Sequence, residues 1–212
     1  MITLHTWTTP NGRKISIMLE EIGMPYVVEP VNLDRNEQFA PDYLKISPNN
    51  KIPAIVDDAA DGGPMAIFES GAILTYLAEK SGRLLAASGP ARYRSMEWLH
   101  WSIGGLGPML GQLMFFAVRS DEKSLLAITR FTDEVDRLLA VMEARLAETL
   151  FFGGDDYSIA DIAAYPWALT ATTALSSVLT DSLSSKPALH RWLKTVGDRP
   201  AVVRGMNVPP GP

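Results

Sequence analysis

A proline set directly in front of a short apolar strand constrains this chain more than any other feature. It lies in Ser47-Pro-Asn-Asn-Lys-Ile-Pro-Ala-Ile-Val56, and Ala66-Ile-Phe-Glu-Ser-Gly71 follows it. Proline donates no ladder hydrogen bond, so Pro53 belongs at the beginning of a strand. An X-Pro bond accepts the cis form at a cost of only about 0.5–1 kcal/mol. A cis Ile52–Pro53 bond would turn the N–H and C=O of Ile52 outward, toward an extended peptide. The second segment reads as a strand, Ala66 to Phe68, that delivers Glu69 and Ser70 to the start of an amphipathic helix. A helix start carries free N–H donors and a partial positive charge, and it attracts a carboxylate. Together the two segments predict a site for a ligand that offers peptide backbone, a carboxylate and an amine.

The flanking residues place this site in an order of elements. Residues 2–6 alternate as a short strand, and Pro10 to Gly23 carries Ile15, Ile17, Met18, Leu19 and Ile22 on a helical face closed by glycine. Tyr26 to Val31 predicts a second strand, near-parallel to the first because a helix separates them. An irregular helix or turn is expected around Pro41 to Ile46. Ile52 to Val56 and Ala66 to Phe68 are strands three and four across the turn-rich Asp57 to Pro64. Ser70 to Ser81 is a helix ended by Gly82. The order β-α-β-α-β-β-α is that of a thioredoxin-like domain, assigned to residues 1–82, with a connector over 83–90.

From Ala91 onward no strand signal occurs, and residues 91–212 are expected to form an all-helical domain. Helices are predicted at about 91–117, 122–150, 158–168, 170–180 and 186–196. Ser158-Ile-Ala-Asp161 has the form of a capping box, with Tyr157 and Ile162 as its staple. This is a folding determinant, each such element contributing about 1 kcal/mol. The tail from Gly205 to Pro212 is expected to lie irregularly over a surface.

Composition removes several classes of function. The net charge of −5 over 212 residues, with scattered Lys and Arg, argues against nucleic acid as a partner. No uninterrupted apolar run reaches the length of a membrane span, the N-terminus reads as a strand, and a cytoplasmic protein without a membrane partner is expected. His5, His100 and His190 are too dispersed for a metal site. Cysteine is absent, which excludes disulfides, thiolate metal sites and a protein-borne thiol nucleophile. Any sulfur chemistry must use a sulfur that arrives with a ligand.

Thr8-Thr-Pro-Asn-Gly-Arg-Lys14, the Ser47 to Asp57 segment, Phe68-Glu-Ser-Gly71, Gly104-Gly-Leu-Gly-Pro-Met-Leu-Gly-Gln112 and the capping box together resemble cytosolic glutathione transferases. More narrowly, they are similar to the bacterial Nu-class enzymes and the related fungal nitrogen-regulatory glutathione-binding proteins. The resemblance spans Met1 to about Val208. It implies a homodimer with glutathione as substrate or co-substrate, no prosthetic group, and a small-molecule disulfide or electrophile as the other reactant. It places Glu69 against the γ-glutamyl ammonium and the Ser70 hydroxyl and N–H on the γ-glutamyl carboxylate. Ile52, before Pro53, would pair by backbone with the cysteinyl unit, and Gln38 and Lys51 would lie near the glycyl carboxylate. Thr9 and Asn11 would face the sulfur, and Arg130 would be supplied from the helical domain.

The thiolate is the reactive form of glutathione, and a free thiol is only a few per cent ionised near neutral pH. No tyrosine precedes Tyr26, so the donors on offer are Thr9 Oγ, the Asn11 amide and the backbone N–H of Asn11 or Gly12. Asn11 is the expected principal sulfur ligand, with Thr9 assisting. Thr9 and Asn11 are also good helix caps, and Arg130 is equally readable as a surface charge paired with Glu134. The glycines of 104–111 suit close helix approach, with Pro108 as a kink, and Trp98, Trp101, Phe115 and Phe116 suit core or interface. One departure from Nu-class relatives is Leu113-Met-Phe-Phe116 in place of a His-Phe pair, with Ala117 to Lys123 as the available loop. The expected activity is glutathione-dependent thiol–disulfide exchange with weaker conjugation. The alternatives are conventional conjugation to an electrophile or a glutathione-binding regulator without turnover.

Overall fold

The first strand, β1 (Ile2–Thr6), buries Ile2, Leu4 and Thr6 and half-exposes the residues between them, as its alternation requires. In this computed structural model, which describes residues 1–210, β1 is an inner strand of a four-stranded sheet. The other strands are β2 (Tyr26–Pro30), β3 (Ala54–Asp57) and β4 (Met65–Phe68), in the spatial order β2-β1-β3-β4. β1 runs parallel to β2 and antiparallel to β3, and β3 runs antiparallel to β4. The helices of this region are α1 (Pro10–Ile22), α2 (Pro41–Ile46) and α3 (Ser70–Ser81), with two short 3₁₀ turns before α2. The order is the expected thioredoxin-like one. β3 begins at Ala54 rather than Ile52 because Pro53 cannot join the ladder. Gly23 and Gly82 close α1 and α3 in the left-handed conformation, at φ 68° and 66°.

The chain divides into two compact units, and the division differs from the sequence boundary. Met1–Ala87 forms one unit together with the chain from Asp198 onward, while Ser88–Gly197 forms the other. The tail was expected to be irregular, yet α10 (Pro200–Gly205) packs on α1. Gly205 makes this possible: a Cβ there would stand 2.5 Å from the Ile17 Cα, and the Gly205 carbonyl accepts from Ser16 Oγ at 2.7 Å. Arg199 holds Glu21 and Arg204 holds Glu20 in ion pairs, both at 2.6 Å. Residues 211 and 212 of the expected tail lie outside the described residues.

The second unit is helical throughout: α4 (Gly89–Trp101), α5 (Gly107–Leu113), α6 (Leu125–Glu148), α7 (Ile159–Thr172), α8 (Thr180–Ser184) and α9 (Pro187–Gly197). α4 and α5 are joined by a π turn at Ser102–Leu106, and a second π turn, Met114–Arg119, extends α5. Pro108, in the first turn of α5, has no N–H for an α-helical bond, and the widened turn before it accommodates that loss. The whole stretch Gly89–Arg119 is a helix long and apolar enough, by length and composition, to cross a membrane. Residues such as Ser102 and Gln112 interrupt it, so that no uninterrupted apolar run spans the helix. The helix also takes up residues 117–119, leaving only 120–124 as a connection before α6.

Gly107 and Gly111 let α7 approach, since added Cβ atoms would meet the Trp167 ring at 2.9 and 3.4 Å. The predicted helix over 170–180 does not form as one piece. α7 ends at Thr172, turns follow, and α8 begins at Thr180.

The capping box is present at the start of α7. Ser158 Oγ accepts from the Ala160 N–H at 3.3 Å, and the Asp161 carboxylate accepts from the Ser158 N–H at 3.0 Å. Asp161 also receives the Phe152 N–H at 3.0 Å and Trp192 Nε1 at 2.9 Å. Burial pushes its carboxyl up to about 6, against the downward pull of these donors. Asp161→Ala would orphan four donors in the core of this unit, since the Ser158 hydroxyl also donates to the carboxylate at 3.2 Å. We expect a loss of about 2–4 kcal/mol in stability, measured by urea unfolding.

Candidate functional site

The sheet register brings three element ends to one place. His5 pairs with Ala54, and Ala54 pairs with Phe68. The end of β1, the start of β3 and the end of β4 therefore stand side by side, and α1 and α3 begin where β1 and β4 stop. A cleft of about 140 Å³ opens there, lined by Asn11, Lys51, Ile52, Pro53, Phe68, Glu69 and Ser70. Six of these are residues singled out in the sequence. The Ile52–Pro53 bond is cis, the form whose consequence for Ile52 was considered from the sequence.

The wall before β3 is fixed by two hydroxyls. Tyr43 Oη donates to the Lys51 carbonyl at 2.6 Å and Ser47 Oγ donates to the same oxygen at 2.8 Å. Burial pushes the Tyr43 phenol up to about 12, so it stays a donor at working pH. Ile52 packs against a small core of Val31, Tyr43 and Ala54. Its backbone thus rests on a rigid base, while the Lys51 side chain is exposed.

Opposite this wall, Glu69 caps α3 with φ 73° and ψ 114°, a left-handed backbone rare for a residue with a side chain. Such strain costs about 1–3 kcal/mol and gathers at functional sites. Here it turns the chain sharply out of β4, so that Glu69 and Ser70 both line the cleft. Ser70 is the first residue of α3, where backbone N–H groups have no intrahelical acceptor.

Asn11 sits in the first turn of α1 and lines the cleft. Thr9 has a more structural position: its Oγ1 accepts from the Gly12 N–H at 3.1 Å as the cap of α1. That bond engages the Gly12 amide, which the sequence had offered as a sulfur donor, and leaves the Thr9 hydroxyl proton for another acceptor. Gly12 itself lies against the end of β1. A Cβ there would stand 2.4 Å from Thr6 Oγ1 and 2.5 Å from the Trp7 carbonyl.

Gln38 lies on the 3₁₀ turn Glu37–Phe39, outside the residues that line the cleft, and its Oε1 is buried without a hydrogen-bond partner among the described residues. Arg130 is exposed on α6 of the second unit. Glu134, its expected surface partner, is instead held by the fork of Arg137 at 2.7 and 2.9 Å, one turn further along the same face. Two residues at the site had not been singled out. Phe68 supplies an apolar patch of the wall, and Lys14 lies buried behind Ser70, its Nζ 3.5 Å from Ser70 Oγ. Lys14 stands among Ile15, Ser16 and Ile17, and a lysine at an inward position of an amphipathic helix was the available signal.

As a chemical device the cleft offers amide and hydroxyl donors at two helix starts, one carboxylate, and a short backbone edge. Among the described residues no cluster of His, Asp and Glu is arranged to hold a metal. Residues 1–79 match the model of the glutathione S-transferase N-terminal domain, and residues 127–195 match that of its C-terminal domain. The chain is 45% identical over 203 residues to the disulfide-bond oxidoreductase YfcG of Escherichia coli (strain K12), covering 95% of this chain and 92% of that protein. It superposes at a TM-score of 0.93 on a glutathione transferase family member from Pseudomonas fluorescens with two glutathione bound; the two are 43% identical, covering 97% and 92% of the chains. A glutathione transferase from Pseudomonas putida, with one glutathione disulfide bound per subunit, is 39% identical, with a TM-score of 0.93 and coverage of 98% and 91%.

Gly12→Ala tests the close approach of α1 to β1. We expect a loss of about 1–3 kcal/mol in thermal unfolding, because one of the clashing atoms is backbone and cannot swing away.

Proposed function

The chain belongs to the glutathione S-transferase family, and we propose that within it this protein binds reduced or oxidised glutathione and catalyses glutathione-dependent disulfide exchange. The observation that carries the reading is a cleft of glutathione-like complementarity in a chain without cysteine. Glu69 faces the γ-glutamyl ammonium, and the Ser70 hydroxyl and N–H take the adjoining carboxylate. Ile52, beside Pro53, pairs with the cysteinyl backbone, and Lys51 and Gln38 serve the glycyl end. Arg130 adds a guanidinium suited to carboxylate. The relatives named for disulfide-bond oxidoreduction and for two bound glutathione molecules support the same chemistry.

The reaction then uses two glutathione thiols. The first, ionised over the α1 start by the Asn11 amide with the Thr9 hydroxyl assisting, attacks one sulfur of the substrate disulfide. A mixed disulfide forms, and the other substrate sulfur leaves as a thiolate and takes a proton. A second glutathione thiolate attacks the glutathione sulfur of the mixed disulfide, releasing glutathione disulfide and the second substrate thiol. Each hydrogen bond to the ion contributes roughly 1.5–3 kcal/mol before desolvation, and the helix start adds up to about 1 kcal/mol. This suffices to lower a thiol pKa by a unit or more, since one unit is about 1.4 kcal/mol.

The Thr8 to Lys14 and Ser47 to Asp57 motifs support placement in the Nu class, acting as a homodimer. A reaction that consumes reduced glutathione suits the cytoplasm, which keeps that thiol reduced. A second reading, conjugation to an electrophile, is favoured by the apolar Leu113-Met-Phe-Phe116 in place of a His-Phe pair. Comparing 2-hydroxyethyl disulfide reduction with 1-chloro-2,4-dinitrobenzene conjugation separates the two. Glutathione binding with neither activity would leave the regulator reading. Asn11→Ala should lower kcat/KM for disulfide reduction roughly 10- to 100-fold, the loss of one donor to an anion. Unchanged rates would remove Asn11 from the mechanism.

A further inference from the structure

Lys14 is only 1% exposed, yet its Nζ makes its hydrogen bond to a neutral hydroxyl, that of Ser70, across 56 positions of sequence. A lysine is seldom so deeply buried without a carboxylate in contact. The opposing charge that acts on it is Glu69, the residue beside Ser70 on the cleft. Both neighbours of the ammonium are thus ligand-facing groups at the start of α3.

We propose that Lys14 is a positioning residue of the glutathione site, donating to Ser70 Oγ from behind so that the Ser70 hydroxyl turns its own proton outward to the γ-glutamyl carboxylate. The inference rests on the glutathione reading above. An ammonium is a donor only, whereas a hydroxyl both accepts and donates. With its lone pair engaged by Lys14, Ser70 is left as a polarised donor aimed at the cleft. The buried charge also makes this end of the cleft attractive to an anion and less so to a neutral group of the same shape.

A second consequence distinguishes this role from packing. Burial lowers Lys14 to about 7, with Glu69 opposing the shift. The elements around α1 bring few other charges. Arg199 and Arg204 of α10 are paired with Glu21 and Glu20, and His5 of β1 is set against Tyr43. A carboxylate bound on Ser70 places new negative charge beside the amine and raises its pKa, so binding takes up a proton near and above neutral pH. The affinity then falls as pH rises through the free-state value.

Titration calorimetry with S-methylglutathione, which has no thiol to ionise, tests this in buffers of different ionisation enthalpy. Wild type should take up about half a proton or more at pH 7.5. Lys14→Met should bind S-methylglutathione roughly tenfold more weakly with no proton uptake. It should bind the analogue whose γ-glutamyl carboxylate is an amide as wild type does. Wild-type binding without proton uptake, or an equal loss for both ligands in Lys14→Met, would overturn the proposal while leaving the glutathione site standing. Absence of wild-type binding would overturn both. Should Lys14→Met fail to fold by circular dichroism, the wild-type proton uptake alone decides.

Discussion

The first turn of α1 lies so close to the end of β1 that position 12 has room only for hydrogen. Most of the candidate site follows from that approach. With Gly12 against Thr6 and Trp7, the helix start is fixed on the sheet, Thr9 caps it, and Asn11 is carried to the cleft. Two residues further on, Lys14 is driven inward beneath the start of α3 rather than out to water. α10 meets the middle of the same helix by an equally close approach, Gly205 on Ile17. One helix is thereby fixed at its start and at its middle by glycine contacts, and its polar first turn faces the cleft.

The α3 start is built on a different principle. Its cap is a glutamate in left-handed backbone, where a glycine would be easier. In this backbone the Glu69 side chain lines the cleft. A strained Glu69, a buried Ser70 and a buried Lys14 form one cluster at the cleft, in which Glu69 is the charge that opposes Lys14. A core chosen for stability alone would hold none of them.

Much of the fold could be read from residue pattern. The strand–helix order, the glycine stops after α1 and α3, and the Ser158–Asp161 box rest on local rules, and local rules act within a few residues. The same holds for Asn11, Ile52, Pro53, Glu69 and Ser70, which sit at strand and helix starts that the pattern marks. Other features escaped because they depend on distant partners. The break of α7 at Thr172 and the packing of α10 on α1 are decided by which side chains meet. Helix propensity in 170–180 and the glycine and proline content of the tail pointed elsewhere. Phe68 and Lys14 were missed because an aromatic at a strand end and a lysine in a helix are ordinary until their surroundings are known.

Sequence by itself determined that a cysteine-free chain brings no thiol of its own, and it marked the neutral donors at a helix start. It also settled the order of the elements, since hydrophobic period and turn chemistry are written residue by residue. Only the tertiary structure decided that the ends of β1 and β4 adjoin the start of β3, which turns separate motifs into one cleft. It alone decided that the Gly12 amide serves the Thr9 cap, and that an ordinary-looking lysine lies behind the cleft-lining serine. The physical reason is that burial, proximity of charge and the direction of a hydroxyl proton belong to no single residue. They arise when parts of the chain more than fifty positions apart exclude water from the space between them.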